Sequence, residues 1–403
     1  MNGLKHGIKS LRQFIKDMDK LSLFLTIVLF GFGLFSIVSA STREAVNNLD
    51  KSVYYYFGRQ IVILGICFLI YIIVLFIPIS KYRKGNFFFI KFLWILIFGL
   101  NAYMVIKGSG TRGANNWIKI PGIGFQLQPG EFAKPILIVS LSLLLEALTR
   151  YLNNKKIKHW AGIAIFVFVG ISTALCIIFA KDLGTASINL AIFGVLFLAS
   201  PVSTKEKIQT IGFCLLIGLV GIGILTAVGK SPFTSTQGSR MNGFWDPCDE
   251  SRRTDQGYQI CNAYIAINLG GATGVGIGKS TQKYSYIPEP HTDMIFSIIS
   301  EEDGFIVGAL IIVAYMILIG DILFTSSRAS TVSGKYICLG VATYIFCHIF
   351  LNLGGLLGLI PLTGVPLPFL SYGGSFSLML ALSLAIVQRV HVESKRYIER
   401  GDR

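Results

Sequence analysis

LSLFLTIVLFGFGLFSIVSA, Leu21–Ala40, is a run of twenty residues without a charge, and it sets the class of this chain. A helix that crosses a bilayer needs roughly twenty predominantly apolar residues. Met1–Lys20 before it is basic, and the run is too long for the apolar core of a signal peptide, so it reads as a retained first helix. Nine comparable runs follow, at Ile61–Ile79, Phe87–Ile106, Phe132–Leu148, Trp160–Ala180, Thr185–Ala199, Ile208–Val228, Met294–Ile319, Tyr336–Leu356 and Phe369–Val387. Over 403 residues, 53% of side chains are hydrophobic and 14% charged, with a mean hydropathy of +0.64. The expected fold is an all-α polytopic membrane protein: a tail at 1–20, a ten-helix membrane domain at 21–387 and a second tail at 388–403. No internal repeat is evident.

Lys and Arg concentrate on the cytoplasmic side of membrane proteins. With the N-terminus inside, the inside segments hold 21 of the 36 Lys and Arg, while the much longer outside segments hold 13. Both termini are therefore expected in the cytoplasm. The net charge of +15 then serves orientation and attraction to anionic membrane lipids. No soluble basic domain exists to carry nucleic acid. Two outside segments are long, Lys107–Glu131 and a loop over 229–292, and loops of that length are usually functional or disordered.

Of seven cysteines, Cys67, Cys176, Cys214, Cys338 and Cys347 fall inside apolar runs and show no metal-ligand spacing. Cys248 and Cys261 fall in the long outer loop, where the compartment permits either a disulfide or two free thiols.

The segment Tyr286–Glu302, YIPEPHTDMIFSIISEE, places Asp293 where that loop enters the eighth run. Ionisable groups at membrane depth are costly and mark function by default. Thr292 could cap the helix, putting Asp293 in its first turn, where the dipole favours a negative charge. At about 100° per residue, Ser300 lies below Asp293, Glu301 a quarter-turn round and Glu302 opposite. Glu301 is thus expected to share the cavity of Asp293, and Glu302 to pair with a neighbouring helix.

Gly354–Ser375, GGLLGLIPLTGVPLPFLSYGGS, resembles the C-terminal signature of the SEDS family, the shape, elongation, division and sporulation proteins typified by FtsW and RodA. Matches run in order along the chain: Ser39-Ala40-Ser41, Arg59-Gln60, Gly113-Ala114 with Trp117-Ile118, Gln128-Pro129 with Glu131 and Lys134, Asp182–Thr185, Asp246-Pro247, Gly257–Gln259, Gly278–Lys283 and Tyr286–Phe296, then Asn352. The first-span and pre-Asp293 motifs sit closer to the division and sporulation branch. Departures are Asn115-Asn116 where an Arg is common, Gly130 for Ser, Met294 for Phe and His348 for Gln.

The resemblance implies a peptidoglycan glycosyltransferase that polymerises lipid II, the undecaprenyl-diphosphate-linked disaccharide-pentapeptide, on the outer face of the bacterial cytoplasmic membrane. Asp293 would be the catalytic base. Arg240, Lys279 and Lys283 are the leading cations for the leaving diphosphate, ahead of Arg112 and Lys119; a divalent ion, Mg²⁺ or Mn²⁺, could do the same work. Trp117 could pack on a sugar or anchor at the interface. Glu131 and Lys134, three apart behind Pro129, read equally as a structural pair or a substrate contact. Asp182 reads as a hairpin apex paired with Lys181, or as a charge facing the cavity. The Pro366–Ser375 segment, Ser371 included, is a re-entrant stretch shaping that cavity. A class B penicillin-binding protein and other divisome or elongasome proteins are the implied partners. A lipid II flippase and a non-catalytic division scaffold are the competing readings.

Overall fold

The computed structural model describes residues 13–79, 86–108, 116–119, 126–154, 159–228, 256–285 and 287–401, with 238, 241, 244–245 and 247–249 between them. Long helices dominate: α1 Lys20–Arg43, α2 Tyr55–Leu75, α3 Asn86–Lys107, α4 Pro129–Asn154, α5 His159–Phe179, α6 Leu183–Ala199 and α7 Thr204–Ala227. After the long loop that follows α7, which carries α8 Gln256–Gly270 and the single turn α9 Gln282–Ser285, come α10 Ile295–Ser327, α11 Val332–Leu356 and α12 Gly374–Glu399. The strands are two dipeptides before α4, β1 Ile118–Lys119 and β2 Gln126–Leu127, paired antiparallel. Among the described residues seven helices are long and apolar enough to cross a membrane, so this is a multi-pass membrane protein.

Helix ends follow local chemistry more than the edges of apolar runs. Asp19 caps α1 by accepting from the Leu21 and Ser22 amides at 3.0 and 3.3 Å. Ser203 and Glu206 form a capping box that starts α7 four residues before its apolar stretch. α12 continues past the expected end at Val387 to Glu399, because Arg389–Glu393 pair at i,i+4 and Arg396 reaches Asp17 at 2.7 Å. The last turns of this helix are therefore not a free tail.

α11 is central, packing on α4, α6, α10 and α12, while α12 lies along α2 and α10 along α8. The core is built from the facing apolar sides, with Tyr315 and Tyr344 fully buried.

The eighth apolar run is not one continuous helix. α10 breaks at Gly304, whose φ of 80° and ψ of 178° no helix contains. A break inside a helix frees backbone groups that must find partners. Here the loop before α10 supplies them: Val275 and Gly276 donate to the Glu301 and Glu302 carbonyls at 2.9 and 3.0 Å. In return Phe305 and Ile306 donate to Gly271 and Ala272 at 2.9 and 3.2 Å. Glycine is required on both sides of this contact, since a Cβ at Gly304 or Gly274 would run into the opposing backbone.

Candidate active site

Asp293 stands just ahead of the first half of α10. The helix starts at Ile295 with Met294 as its uncapped N-cap, so Thr292 is not the cap and Asp293 lies outside the first turn, contrary to the sequence expectation. The reason is a tight turn behind the two prolines. Thr292 donates through N–H and Oγ1 to the Glu289 carbonyl at 3.1 and 2.7 Å, and Glu289 itself has a φ of 50°. The Thr292 hydroxyl also lies 3.0 Å from the Asp293 carboxylate, which is half-buried.

The backbone here is clamped to the segment between α11 and α12. Asn352 donates from one amide nitrogen to both the Asp293 carbonyl at 2.7 Å and the Val365 carbonyl at 2.8 Å. The Tyr372 amide donates to the His291 carbonyl at 2.9 Å. That segment is non-helical, buried and internally satisfied. Its Pro366 carbonyl meets His348, its Pro368 carbonyl accepts from the Tyr315 hydroxyl, and the Ser371 hydroxyl accepts from the Leu367 amide at 2.8 Å. Ser371, named above as part of the stretch shaping the cavity, closes this turn and is buried. The sequence carried the re-entrant reading in its prolines and glycines; the role of Asn352 as the staple was not legible.

One turn below Asn352 on α11, His348 Nε2 sits 2.8 Å from Lys134 Nζ, which is 2.6 Å from Glu131. With the ammonium donating to Nε2, Nδ1 carries the proton and donates to the Pro366 carbonyl at 3.0 Å. Glu131 and Lys134 are fully buried, so the structural pair is made. Gly130, a departure from the usual Ser, leaves room for the Thr185 methyl, which a Cβ would meet at 2.9 Å. Asp182 caps α6 by accepting from the Thr185 amide and holds Asn116 and Gln128, each at 3.0 Å. No ion pair joins it to Lys181, which is exposed at a φ of 65°. The expected local pair is replaced by a tie between α6 and the loop before α4.

Glu301 and Glu302, which follow Asp293, are both buried and hydrogen-bonded. Glu302 accepts from Lys283 at 2.6 Å and from Ser39 of α1 at 2.8 and 2.7 Å, the neighbouring-helix contact expected of it. Glu301 is engaged by the loop before α10: it accepts from the Ser280 hydroxyl at 2.5 Å and from the Thr281 amide and hydroxyl at 2.8 and 3.0 Å. Lys283 is likewise not a free cation, being buried against Glu302 and Ser39. Lys279 remains exposed. Trp117 is half-buried just before β1. Arg240 and Arg112 lie outside the described residues. Cys248 and Cys261 are bonded to each other, tying the loop back to α8. Among the described residues no group of three His, Cys, Asp or Glu is placed to hold a metal.

His291 was missed by sequence reasoning. Its ring is buried between Tyr56, at 4.2 Å between centroids, and Tyr372 at 5.4 Å. Burial pulls its pKa down from 6.5 to about 4. Between these values the unfolded chain binds a proton that the folded chain does not. Its contribution is thus fully present above about pH 6.5 and is lost as pH falls toward 4. The loss amounts to roughly 3 kcal/mol at one unit per 1.36 kcal/mol. In His291→Phe the melting midpoint in detergent is expected to fall less between pH 7 and 4.5 than in the parent; equal slopes would refute the assignment.

Comparison with known proteins accords with this architecture. The sequence model of the family described as cell cycle protein, FtsW–RodA–SpoVE, matches residues 20–396. The chain is 30% identical over 388 residues to a probable peptidoglycan glycosyltransferase FtsW of Bacillus subtilis, covering 94% of this chain and 92% of that one. It is 29% identical to stage V sporulation protein E of the same organism, covering 92% and 96%. Its fold matches a chain from a solved peptidoglycan synthase complex that coordinates polymerization and crosslinking, with a TM-score of 0.71, 22% identity and coverage of 94% and 98%. The chain belongs to the FtsW, RodA and SpoVE family of cell cycle proteins.

Proposed function

We propose that this chain is a peptidoglycan glycosyltransferase of cell division or a related wall-synthesis process, joining lipid II units into glycan strands with Asp293 as general base. The observation that carries the mechanism is the placement of Asp293: a half-exposed carboxylate whose backbone is stapled by Asn352 to the buried 365–373 segment. The chemistry is a displacement. The acceptor sugar's 4-hydroxyl oxygen bonds to the donor's anomeric carbon, and its proton passes to Asp293. The bond from that carbon to the diphosphate breaks, and undecaprenyl diphosphate leaves with the electron pair. A base within hydrogen-bond reach and a cation on the leaving group are what such a step needs. Exposed Lys279, on the glycine-rich stretch docked against α10, serves the second requirement, together with Arg240.

Three helices complete a ten-span reading in the cytoplasmic membrane: α3, the 17-residue apolar α6 and α7. Asp293 then faces outward and both termini inward, as the distribution of Lys and Arg favours. The matched chain from a synthase complex favours a class B penicillin-binding protein as partner, its membrane helix lying on α10 and α11, where Phe305, Leu310, Phe346 and Phe350 are exposed.

Purified chain given labelled lipid II, alone and with a class B transpeptidase, tests the reading. Glycan ladders are expected. Movement of lipid II between leaflets without polymerisation would favour a flippase, and neither outcome would favour a scaffold.

A further inference from the structure

A polar cavity of about 640 Å³ opens at the end of the bundle opposite Asp293, among the C-terminal ends of α4 and α12 and the turn between α10 and α11. Four arginines line it, Arg150, Arg389, Arg396 and Arg400, against two glutamates, Glu146 and Glu393. Each acid holds one arginine, Glu146 to Arg150 at 2.5 Å and Glu393 to Arg389 at 2.7 Å, while Asp17 holds Arg396 at 2.7 Å. Arg389 also donates to the Leu75 carbonyl at 3.0 Å. These contacts use only one or two of the five N–H groups each possesses, and Arg389 and Arg396 are further oriented over the Phe14 ring, at 5.6 and 5.3 Å from its centroid, whereas Arg150 is 51% exposed. The Arg400 side chain makes no hydrogen bond or ion pair among the described residues, so its charge is left over. Arg389 and Arg396 are only 14% and 32% exposed in their side chains, unlike freely solvated surface arginines. Thr331 and Val332 at the N-terminus of the 25-residue α11 complete the wall, adding the positive end of a helix dipole.

Oriented arginines with spare N–H edges, a surplus of positive charge and a concave wall of this volume suit a tetrahedral oxyanion bound through several forked hydrogen bonds. A solvated charge cluster needs no cavity, and a purely structural ion-pair set would leave no arginine unmatched. We propose that this cavity binds a phosphate-bearing anion, either the phosphodiester headgroup of an anionic phospholipid or a soluble phosphate. Basic pockets between helices on the cytoplasmic side take lipid headgroups in membrane proteins generally. Nothing in this inference depends on the chemistry at Asp293.

The test uses the full chain in an uncharged detergent and reads saturable shifts in its melting midpoint. One arm titrates sodium phosphate against sodium chloride at matched ionic strength. The other titrates phosphatidylglycerol against phosphatidylcholine. Arg400→Gln removes a side chain without a structural partner and is expected to weaken binding about tenfold, the loss of one charge-assisted hydrogen bond. Arg328→Gln, on the same end of the molecule but stacked on Phe324 outside the cavity, is expected to bind as the parent does. Saturation by phosphate alone assigns a soluble ligand and saturation only by phosphatidylglycerol assigns a lipid; both uphold the site. Absence of saturation in both arms, or equal weakening in the two variants, would overturn it.

Discussion

Asp293→Asn is expected to leave the purified chain folded and to slow lipid II polymerisation by about 10²–10⁴-fold, the range typical of losing a positioned general base. The substitution is nearly isosteric, and its amide oxygen can still accept from Thr292, as the carboxylate does at 3.0 Å. The staple from Asn352 goes to the backbone carbonyl of residue 293, so it survives any side-chain change there. What disappears is the capacity to take a proton from the attacking hydroxyl. An unchanged melting midpoint with collapsed turnover is the expected pair of readings. Strand synthesis at the parent rate in the Asn variant would sink the mechanism.

A large effect of a different kind is expected at Lys134. Lys134→Met should destabilise the protein by about 3–5 kcal/mol, because it leaves Glu131 as a buried charge without its counterion. Replacing both partners, Glu131→Gln with Lys134→Met, should cost clearly less than the sum of the single changes, since the stranded charge is gone. Chemical denaturation in mixed micelles measures both. Additive costs would mean that the 2.6 Å contact carries no coupling. Lys134 also touches His348, one turn from the Asn352 staple, so the single variant is further expected to loosen the Asp293 backbone and lower turnover.

The membrane class was legible because a run such as Leu21–Ala40 admits few other structures. The break in α10 was not, although Ser300–Gly304 puts three acids and a glycine in the middle of an apolar run. Periodicity registers which residues are apolar, and a positive φ at one glycine leaves the periods on either side intact. The same blindness affected the charges. Lys283 looked like a free cation because Glu302 is 19 residues away and Ser39 is 244, and only the fold brings them together. Asp182 was paired in expectation with Lys181, its chain neighbour, but adjacent residues in a tight turn point apart, and Asn116 and Gln128 took the carboxylate instead. Glu302 does reach a neighbouring helix, through Ser39 of α1, as expected of it. The Ser280 and Thr281 groups that take up Glu301 arrive from about twenty residues earlier in the chain, which no helical rotation reveals.

The interruption at Gly304 also changes what a torque on the molecule can do. The stub from Ile295 to Asp303 is hydrogen-bonded to the loop before it, while the shaft from Phe305 to Ser327 is held separately, by packing on α11 and by the Tyr315 hydroxyl on the Pro368 carbonyl. A twist applied to the shaft meets, at Gly304, a residue out of helical conformation, followed by Phe305 and Ile306 amides that bond to the loop instead of the stub. The carboxylate ahead of the stub is thus anchored sideways, through Asn352, to α11 and the 365–373 segment, and no unbroken helix joins it to the shaft.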